Sequence, residues 1–219
     1  MMCCIIAILF AYLIGSIPTA LWISEVFYGI DIRTKGSGNS GSTNAFRVLG
    51  VKAGIAVQVV DILKGVAAIS LANEVHKSAI PTFLIDPVYP LLPLQMILGI
   101  SAVIGHVFPI WAQFRGGKGI NTLLGVMLAI NWQIAILCLL VFCVVLFISK
   151  FVSLSSICAV FAYPITVLMF NIFGEYHYRL WFILSGFGIF LFVVYTHRSN
   201  IRRLLSHSES RVRFKLRSR

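Results

Sequence analysis

The sequence predicts an all-α integral membrane protein, folded as a bundle of seven transmembrane helices. Two observations support this fold class. Of the 219 residues, 59% are hydrophobic, and the mean hydropathy is +0.94, whereas roughly half of an ordinary soluble domain is apolar. The apolar residues lie in long runs separated by short polar segments, as expected for a chain that crosses a bilayer repeatedly. No linker or repeat divides the chain, so we expect one transmembrane domain, 1–205, followed by a basic tail, 206–219.

Seven apolar runs define the predicted helices. A membrane-spanning helix needs about 20 predominantly apolar residues, and six of the runs approach or exceed that length. The fourth run is shorter, and Asn131 marks its turn into the fifth, so this pair could form a tilted or partly buried hairpin. In chain order the runs are 3–28, 53–72, 89–111, 119–131, 132–149, 153–173 and 180–197.

The distribution of positive charge orients this bundle. With seven crossings, the segments on one side contain 15 of the 18 lysines and arginines, while the other side carries only Lys77 and Arg179. Cytoplasmic loops of membrane proteins are enriched in Lys and Arg, so we expect the N-terminus outside and the C-terminus in the cytoplasm. The predicted cytoplasmic segments are 29–52, 112–118, 150–152 and 198–219.

Composition also excludes several classes of protein. The net charge of +11 does not indicate a nucleic-acid partner, because the basic residues flank helices and fill the tail, where they would face lipid headgroups. The five cysteines lie in apolar runs without zinc-like spacing, so we predict no metal site. The first run lacks a basic start and a cleavage site, so we interpret it as a retained helix.

A glycine-rich segment in the first predicted cytoplasmic loop is typical of an anion site. Glycines at 36, 38 and 41 let the backbone turn tightly, and successive N–H groups in such a loop can surround a phosphate. Ser37, Ser42 and Thr43 add hydroxyl donors, and Arg47 adds a guanidinium fork. We expect a helix from about Ala53 to present its N-terminus to the same anion. The alternative for this segment is a plain flexible loop.

Two further polar segments lie on the same predicted side. In the first, Gly116 and Gly117 precede Lys118, which could meet a phosphate or simply anchor the helix at the interface; His106, upstream, is more often structural. In the second, His197, Asn200 and Arg203 could share a helical face, although an amphipathic interfacial helix explains this segment better when it is taken alone. Within the membrane, Asp61 and Lys64 are expected to pair and face the bundle interior, either as a brace or in contact with substrate.

Together these residues resemble the bacterial acyl-phosphate:glycerol-3-phosphate acyltransferases, the PlsY family, along nearly the whole chain. The resemblance implies seven transmembrane helices in the bacterial inner membrane and an active site at the cytoplasmic face. It also implies acyl transfer from acyl phosphate to the 1-hydroxyl of glycerol 3-phosphate, without a cofactor. We expect a monomer. The segments that carry the resemblance are Gly15-Ser16-Ile17-Pro18, GIDIRTKGSGNSGSTNAFRVLG (29–50), DILKG (61–65), GHVFPIWAQFRGGKG (105–119), VSLSS (152–156) and THRSNIRRLL (196–205).

The resemblance also assigns roles to individual residues. The residues it implies to be catalytic are Ser37, Arg47, Lys118, His197 and Asn200. The residues it implies to be substrate-binding are Gly38, Asn39, Gly41, Ser42, Thr43, Asn44, Gly116, Gly117 and Ser156. Ser37 and Arg47 would hold the phosphate of acyl phosphate, while Lys118, Ser156, His197 and Asn200 would contact glycerol 3-phosphate or the transferring phosphate. Two departures, Asn121 at a usually small position and a long outer loop at 73–90, are not expected to touch a key position directly.

The sequence lacks the usual acyltransferase dyad, His-x-x-x-x-Asp, since none of the five histidines has a carboxylate five residues on. We therefore expect the phosphate of glycerol 3-phosphate to act as the base. An organic-phosphate transporter stays open as an alternative, although it predicts polar groups through the membrane depth rather than at one face. A lipid phosphatase or phosphotransferase would normally bring a nucleophilic histidine with carboxylates or a metal site, and the sequence shows no such set.

Overall fold

The computed structural model describes residues 1–75, 79–174 and 176–212, and all regular secondary structure in these ranges is helical. The fold class predicted from the sequence is therefore confirmed in its all-α character. The chain groups into two compact units, Met1–Trp132 and Gln133–Arg219. The single domain predicted over 1–205 stays a prediction, and residues 213–219 of the predicted tail lie outside the described residues.

In the first unit the longest helix, α4, is central: α1, α2, α3, α5 and α6 each pack against it. Short 3₁₀ turns at Ile32–Thr34, Thr82–Leu84 and Ile110–Ala112 shape the connections. The helices are α1 (Met2–Gly15), α2 (Thr19–Tyr28), α3 (Ser42–Val48), α4 (Val51–Glu74), α5 (Leu92–Val107) and α6 (Ile120–Ile130).

The first predicted crossing, 3–28, is confirmed as one apolar segment long enough to span a membrane, Met2–Tyr28, and its helix is interrupted between α1 and α2. Pro18 lacks an N–H and its ring disrupts a helix interior, and α2 restarts directly after it at Thr19. The break releases the carbonyl of Ile17 from the helical pattern, and this carbonyl accepts a hydrogen bond from Lys64 Nζ at 3.0 Å. A buried cation on α4 therefore satisfies the backbone at the break.

Glycines set the contact between α4 and α6. A Cβ at Gly65 would overlap the carbonyl oxygen of Thr122, and a Cβ at Gly125 would overlap the carbonyl oxygen of Ile62. Each helix thus lays a glycine against the other's backbone, the arrangement by which membrane helices approach most closely.

The contact between α1 and α5 repeats this device. A Cβ at Gly15 would overlap the carbonyl oxygen of Ala102, and one at Gly105 would overlap that of Tyr12. Because Gly105 directly precedes His106, this crossing also fixes the end of α5 from which the second polar loop departs.

In the second unit α8 packs against α9, and α10 contacts both. Pro164 lies inside α8, and α10 is bent away from α9 by 64°. The helices are α7 (Trp132–Ser149), α8 (Val152–Ile172), α9 (Leu180–Thr196) and α10 (Arg198–Leu205).

Five helical segments among the described residues are long and apolar enough to cross a membrane, and α9 with α10 makes a sixth if the two form one bent span. The chain is therefore a multi-pass membrane protein. The 11 residues of α6 give a length of about 16 Å, roughly half of a hydrocarbon core of about 30 Å. The short fourth run and the turn at Asn131 were correctly predicted, while the count of seven crossings and the orientation of the termini stay predictions.

Candidate active site

The glycine-rich loop of the first unit is braced from within by Asn44. Its side chain is buried, with Oδ1 accepting from the N–H of Ser37 at 2.9 Å and Nδ2 donating to the carbonyls of Lys35 at 3.0 Å and Ile32 at 3.3 Å. Both amide hydrogens of Asn44 are thereby used inside the loop. The role that the sequence analysis gave Asn44, a direct substrate ligand, has no support in this geometry, which favours a brace.

The other residues of the loop differ in exposure, and Ser40 is buried. Gly36 and Gly38 have φ values of +60° and +72°, a conformation that glycine adopts at little cost. The side chains of Ser37, Thr43 and Arg47 are exposed, and those of Asn39 and Ser42 are partly exposed. A short helix, α3, follows the loop directly from Ser42, and the predicted helix from about Ala53 is α4, which starts at Val51; that its N-terminus faces the anion stays a prediction.

An ion pair next to this loop was missed by the sequence analysis. Arg33 donates to both carboxylate oxygens of Asp31 at 2.8–3.1 Å, and its Nη1 donates to the carbonyl of Ala112 at 3.2 Å. The hydrogen bond from Arg33 lowers the pKa of Asp31, and the same bond raises the pKa of Arg33. Both groups therefore stay charged around neutral pH and tie the first polar loop to the second.

The second loop turns back onto the end of α5. The N–H of Gly117 donates to the carbonyl of His106 at 3.1 Å, and that of Gly116 donates to the carbonyl of Val107 at 3.2 Å. A Cβ at Gly116 would overlap the His106 carbonyl, and one at Gly117 would overlap Nε2 of the imidazole. Both glycines are thus required for a close backbone approach, and Lys118 follows directly, with its side chain partly exposed.

Asn121 joins the two loops. Its Nδ2 donates to Oγ of Ser42 at 2.9 Å, so the expectation that this departure would not touch a key position was wrong. Ser42 belongs to the glycine-rich loop, while Asn121 lies in the first turn of α6. Together with the bond from Arg33 to Ala112, this contact gives the loops two direct connections.

A buried polar cluster lies at the base of the second loop. Asp61 and Lys64 are 1% and 4% exposed, and they form the predicted pair at 2.9 Å. Thr19 Oγ1 donates to Asp61 Oδ1 at 3.2 Å. His106 Nδ1 lies 3.7 Å from the same oxygen and has no hydrogen-bond partner among the described residues.

The second unit gathers its polar side chains around Glu209. This carboxylate accepts from Ser153 Oγ at 2.8 Å, Asn200 Nδ2 at 2.6 Å and Arg203 Nε at 2.7 Å. Burial acts to raise the pKa of Glu209, but the hydrogen bonds from Arg203, Asn200 and Ser153 outweigh it, so the net effect is a lowered pKa. The N–H of Val212 donates to the carbonyl of Lys150 at 2.8 Å. The segment after α10 is thus held against the turn between α7 and α8.

His197 and Ser156 of this unit are both buried. His197 Nδ1 lies 2.9 Å from the carbonyl oxygen of Val193, which can only accept, so Nδ1 carries the hydrogen. A neutral ring then has its lone pair on Nε2, the nitrogen suited to accept a proton from a hydroxyl or to bind phosphate once protonated. The hydroxyl of Ser156 donates to the carbonyl of Val152 at 2.9 Å.

Comparison with known proteins decides the family. The family model described as glycerol-3-phosphate acyltransferase matches residues 5–207. The chain belongs to the glycerol-3-phosphate acyltransferase family. It is 41% identical over 231 residues to the glycerol-3-phosphate acyltransferase of Chlorobium phaeobacteroides, covering 96% of this chain and 97% of that one. It is 40% identical to the corresponding protein of Chlorobium limicola, covering 93% and 94%.

Solved structures in this acyltransferase family share the fold. The crystal structure of PlsY (YgiH), an integral membrane glycerol 3-phosphate acyltransferase, in its glycerol 3-phosphate form matches with a TM-score of 0.80 and 32% identity, covering 96% of each chain. Its lysophosphatidic acid form matches with a TM-score of 0.77 and 32% identity, covering 96% of this chain and 95% of that one. The resemblance to the PlsY family is therefore confirmed.

Within this member of the acyltransferase family, the site residues predicted from the sequence fall in both units. The first unit brings together the residues of the two glycine-rich loops, and the second brings Asn200 near Ser153 and Arg203 through Glu209. Arg33 and Glu209 were missed as organising residues. Their sequence signals were available but weak: an Asp-x-Arg step at the start of the loop, and a lone carboxylate in a basic tail. The residues in the first unit are Ser37, Gly38, Asn39, Gly41, Ser42, Thr43, Asn44, Arg47, Gly116, Gly117 and Lys118, and those in the second are Ser156, His197 and Asn200.

Proposed function

We propose that this chain transfers a fatty acyl group from acyl phosphate to the 1-hydroxyl of sn-glycerol 3-phosphate in phospholipid synthesis. The products are lysophosphatidic acid and inorganic phosphate. In this proposal the chain works as a monomer in the bacterial inner membrane, with its N-terminus outside and its active site at the cytoplasmic face. Family membership supports the acceptor, because the relatives are glycerol-3-phosphate acyltransferases. The choice of acyl phosphate as donor is the part of the proposal that most needs a test.

One observation carries the proposal furthest: the two glycine-rich loops of the first unit are joined directly. The bonds from Asn121 to Ser42 and from Arg33 to Ala112 join the glycine-rich loop and α3, which carries Arg47, to the loop that carries Lys118. Acyl phosphate and glycerol 3-phosphate are both anions that repel each other. A surface rich in N–H donors and cations reduces that repulsion and favours their encounter.

The proposed roles follow from these positions and from the family resemblance. Ser37 and Arg47 hold the phosphate of the acyl donor, with the backbone from Gly38 to Thr43 as its cradle. Lys118 meets the phosphate of glycerol 3-phosphate. The roles of His197, Asn200 and Ser156 toward glycerol 3-phosphate stay predictions, which substitution would test.

The proposed step has a simple balance. The oxygen of the 1-hydroxyl attacks the acyl carbonyl carbon, a new ester C–O bond forms, and the C–O bond to phosphate breaks with its electron pair leaving on phosphate. The proton of the hydroxyl goes to the phosphate of glycerol 3-phosphate, whose second pKa is about 6, as for other phosphate monoesters. Because phosphate is a good leaving group, we assign most of the rate acceleration to positioning and to electrostatic stabilisation.

The donor is tested with purified protein in lipid. Palmitoyl phosphate and glycerol 3-phosphate are supplied together, with palmitoyl-CoA replacing the acyl phosphate as a control, and phosphate release and lysophosphatidic acid are measured. We expect turnover when palmitoyl phosphate is the acyl donor and none when palmitoyl-CoA replaces it. No phosphate release by well-folded protein given the acyl phosphate would overturn the donor assignment.

The site is tested by substitution at two cations, Arg47 on α3 and Lys118 on the second loop. Arg47→Ala and Lys118→Ala should each abolish turnover while leaving thermal unfolding unchanged, because both side chains are at least partly exposed. Lys52→Ala is the matched control, since Lys52 is an exposed cation on the first turn of α4 without an assigned role. Equal losses in all three variants would argue for a general charge effect instead.

The base is tested separately with His197→Ala. If the phosphate of glycerol 3-phosphate accepts the proton, this variant loses activity across the pH range and keeps the shape of its pH–rate profile. If the intact variant lost only the limb that depends on a deprotonated base, His197 would be the base and the substrate-assisted step would be wrong.

A further inference from the structure

We propose that Asp61 and His106 are positioning residues that hold the segment from Gly116 to Lys118 in place to receive a substrate phosphate. The inference rests on the proposed function, because it assigns a task to residues beneath the loop that carries Lys118. It gives a role to the buried cluster at the break between α1 and α2, which the sequence leaves divided between a brace and a substrate ligand.

The first step of the inference is the contact between His106 and the loop. His106 touches it twice: its carbonyl accepts the N–H of Gly117 at 3.1 Å, and its ring lies so close to Gly117 that a Cβ there would overlap Nε2. The loop backbone therefore rests on the imidazole, and any change in ring position is passed to the residue before Lys118.

The second step concerns Asp61, which lies on the opposite side of the His106 ring from Gly117. Nδ1 faces Oδ1 of Asp61 at 3.7 Å, beyond hydrogen-bond distance, and has no hydrogen-bond partner among the described residues. A buried polar atom without a partner needs an explanation. A small shift of the ring toward Asp61 would close this bond, so the imidazole has a defined direction in which to move when the loop meets a ligand.

The third step is that Asp61 itself is fixed. Lys64 Nζ lies 2.9 Å from the same oxygen and Thr19 Oγ1 donates to it at 3.2 Å, while Lys64 also donates to the carbonyl of Ile17 at 3.0 Å. These groups come from α2, α4 and the helix break, so the carboxylate is held from several elements. Asp61 and Lys64 cancel in charge, so the cluster adds order beneath the loop without adding net charge.

Together these contacts form a short line from a rigid buried carboxylate, through an imidazole, to the backbone that precedes Lys118. A mere brace would need the Asp61–Lys64 pair but would not need Gly117 laid on the histidine ring and Gly116 laid on the histidine carbonyl. The arrangement thus predicts an effect on one substrate in particular. Loosening His106 should weaken the binding of glycerol 3-phosphate, the ligand assigned to Lys118, and leave acyl phosphate unaffected.

The test compares two substitutions at position 106. His106→Asn keeps a polar group near Nδ1 but removes the ring face under Gly117, whereas His106→Gln places a polar group near Nε2 and leaves Asp61 without its ring neighbour. We expect either variant to raise KM for glycerol 3-phosphate about tenfold, which is less than the roughly hundredfold cost that a 1 Å misplacement can have. KM for palmitoyl phosphate should stay within about twofold.

A double-mutant cycle with Lys118→Ala separates positioning from general damage. Because Lys118→Ala is expected to lack turnover, this cycle is measured as glycerol 3-phosphate affinity from thermal stabilisation; if His106 acts through Lys118, His106→Gln causes no further loss of affinity once Lys118 is Ala. A full tenfold loss of affinity in that background would overturn the inference. So would a fall in kcat with both KM values unchanged, which is what a loss of folded protein produces.

The proposed function can fail independently of this inference. If wild-type protein does not turn over palmitoyl phosphate, the donor assignment fails, and the same comparison is made by the thermal stabilisation that glycerol 3-phosphate confers. The positioning role is supported if glycerol 3-phosphate stabilises both His106 variants less than the wild type, and stabilises the double variant no less than Lys118→Ala. Undiminished stabilisation in the His106 variants contradicts it.

Discussion

Replacement of Glu209 tests how the segment after α10 is held in the second unit. Its carboxylate receives Ser153, Asn200 and Arg203 at 2.6–2.8 Å, and hydrogen bonds to a charged group contribute about 1.5–3 kcal/mol each. Arg203 is 38% exposed, so solvent reduces its share to about 1 kcal/mol or less. Gln keeps one acceptor oxygen but loses the charge, and we expect Glu209→Gln to cost about 1–2 kcal/mol.

The measurement is amide hydrogen exchange in the segment that Glu209 holds. The N–H of Ser208 donates to Arg203 and that of Val212 donates to Lys150, so both amides exchange only when the segment opens. A loss of 1–2 kcal/mol corresponds to exchange about 5–30-fold faster. Glu74→Gln makes the same chemical change on an exposed side chain at the end of α4 and should leave these amides unchanged.

The pH dependence has a definite sign. The folded-state pKa of Glu209 is below its ordinary value of 4.5, so its contribution is complete above about that pH and is lost as pH falls through the folded-state value. After correction for intrinsic exchange, acidification should therefore speed opening in the wild type and have less effect in Glu209→Gln. Unchanged exchange in Glu209→Gln at neutral pH would refute the view that this carboxylate holds the segment.

Two further predictions concern the first unit. Asn121→Ala and Ser42→Ala should each raise KM for a phosphate substrate several-fold, and in a double-mutant cycle they should couple by about 0.5–1.5 kcal/mol, because their 2.9 Å bond joins the two loops; additive effects would mean that the bond does not act in binding. Gly125→Ala should lower stability by about 1–3 kcal/mol in thermal unfolding, since its new Cβ would overlap the Ile62 carbonyl. Gly188→Ala, with open space around its Cβ, should be neutral or slightly stabilising, and equal effects of the two changes would contradict the close crossing of α4 and α6.

Most helices could be predicted because lipid exposure imposes the same requirement on every crossing: an apolar run with its backbone bonds satisfied internally. That requirement does not reveal where a run bends. Pro18 lies in a run apolar enough to read as one helix, and its break is stabilised by Lys64, 46 positions later in the chain. The bend between α9 and α10 is likewise local geometry that hydropathy does not encode.

The candidate site shows the same division. Glycines and hydroxyls in a short loop signal anion binding through their own chemistry, so the two loops could be found from the sequence. Whether a side chain binds the ligand or stabilises the loop depends on its hydrogen-bond partners in the folded chain, which the sequence does not show. Asn44 looks like a ligand in the sequence, yet its bonds to Ile32 and Lys35 engage it within the loop. Arg33 looks like one more cytoplasmic cation, yet it bonds to Ala112, a contact between residues 79 positions apart.

The cations of the first unit differ in whether they form an ion pair with a carboxylate, and this difference indicates which of them is available to a phosphate. Arg33 and Lys64 have carboxylates at 2.8 and 2.9 Å, from Asp31 and Asp61, and a phosphate would have to compete with those partners to recruit them. Arg47 is exposed on α3, and no carboxylate among the described residues pairs with it. A guanidinium in that position can donate two parallel hydrogen bonds to a phosphate without breaking an existing ion pair. Of the paired cations, Arg33 ties the two loops together and Lys64 holds Asp61 at the helix break. Arg47, which pairs with no carboxylate among the described residues, is the cation that we propose to bind the substrate phosphate.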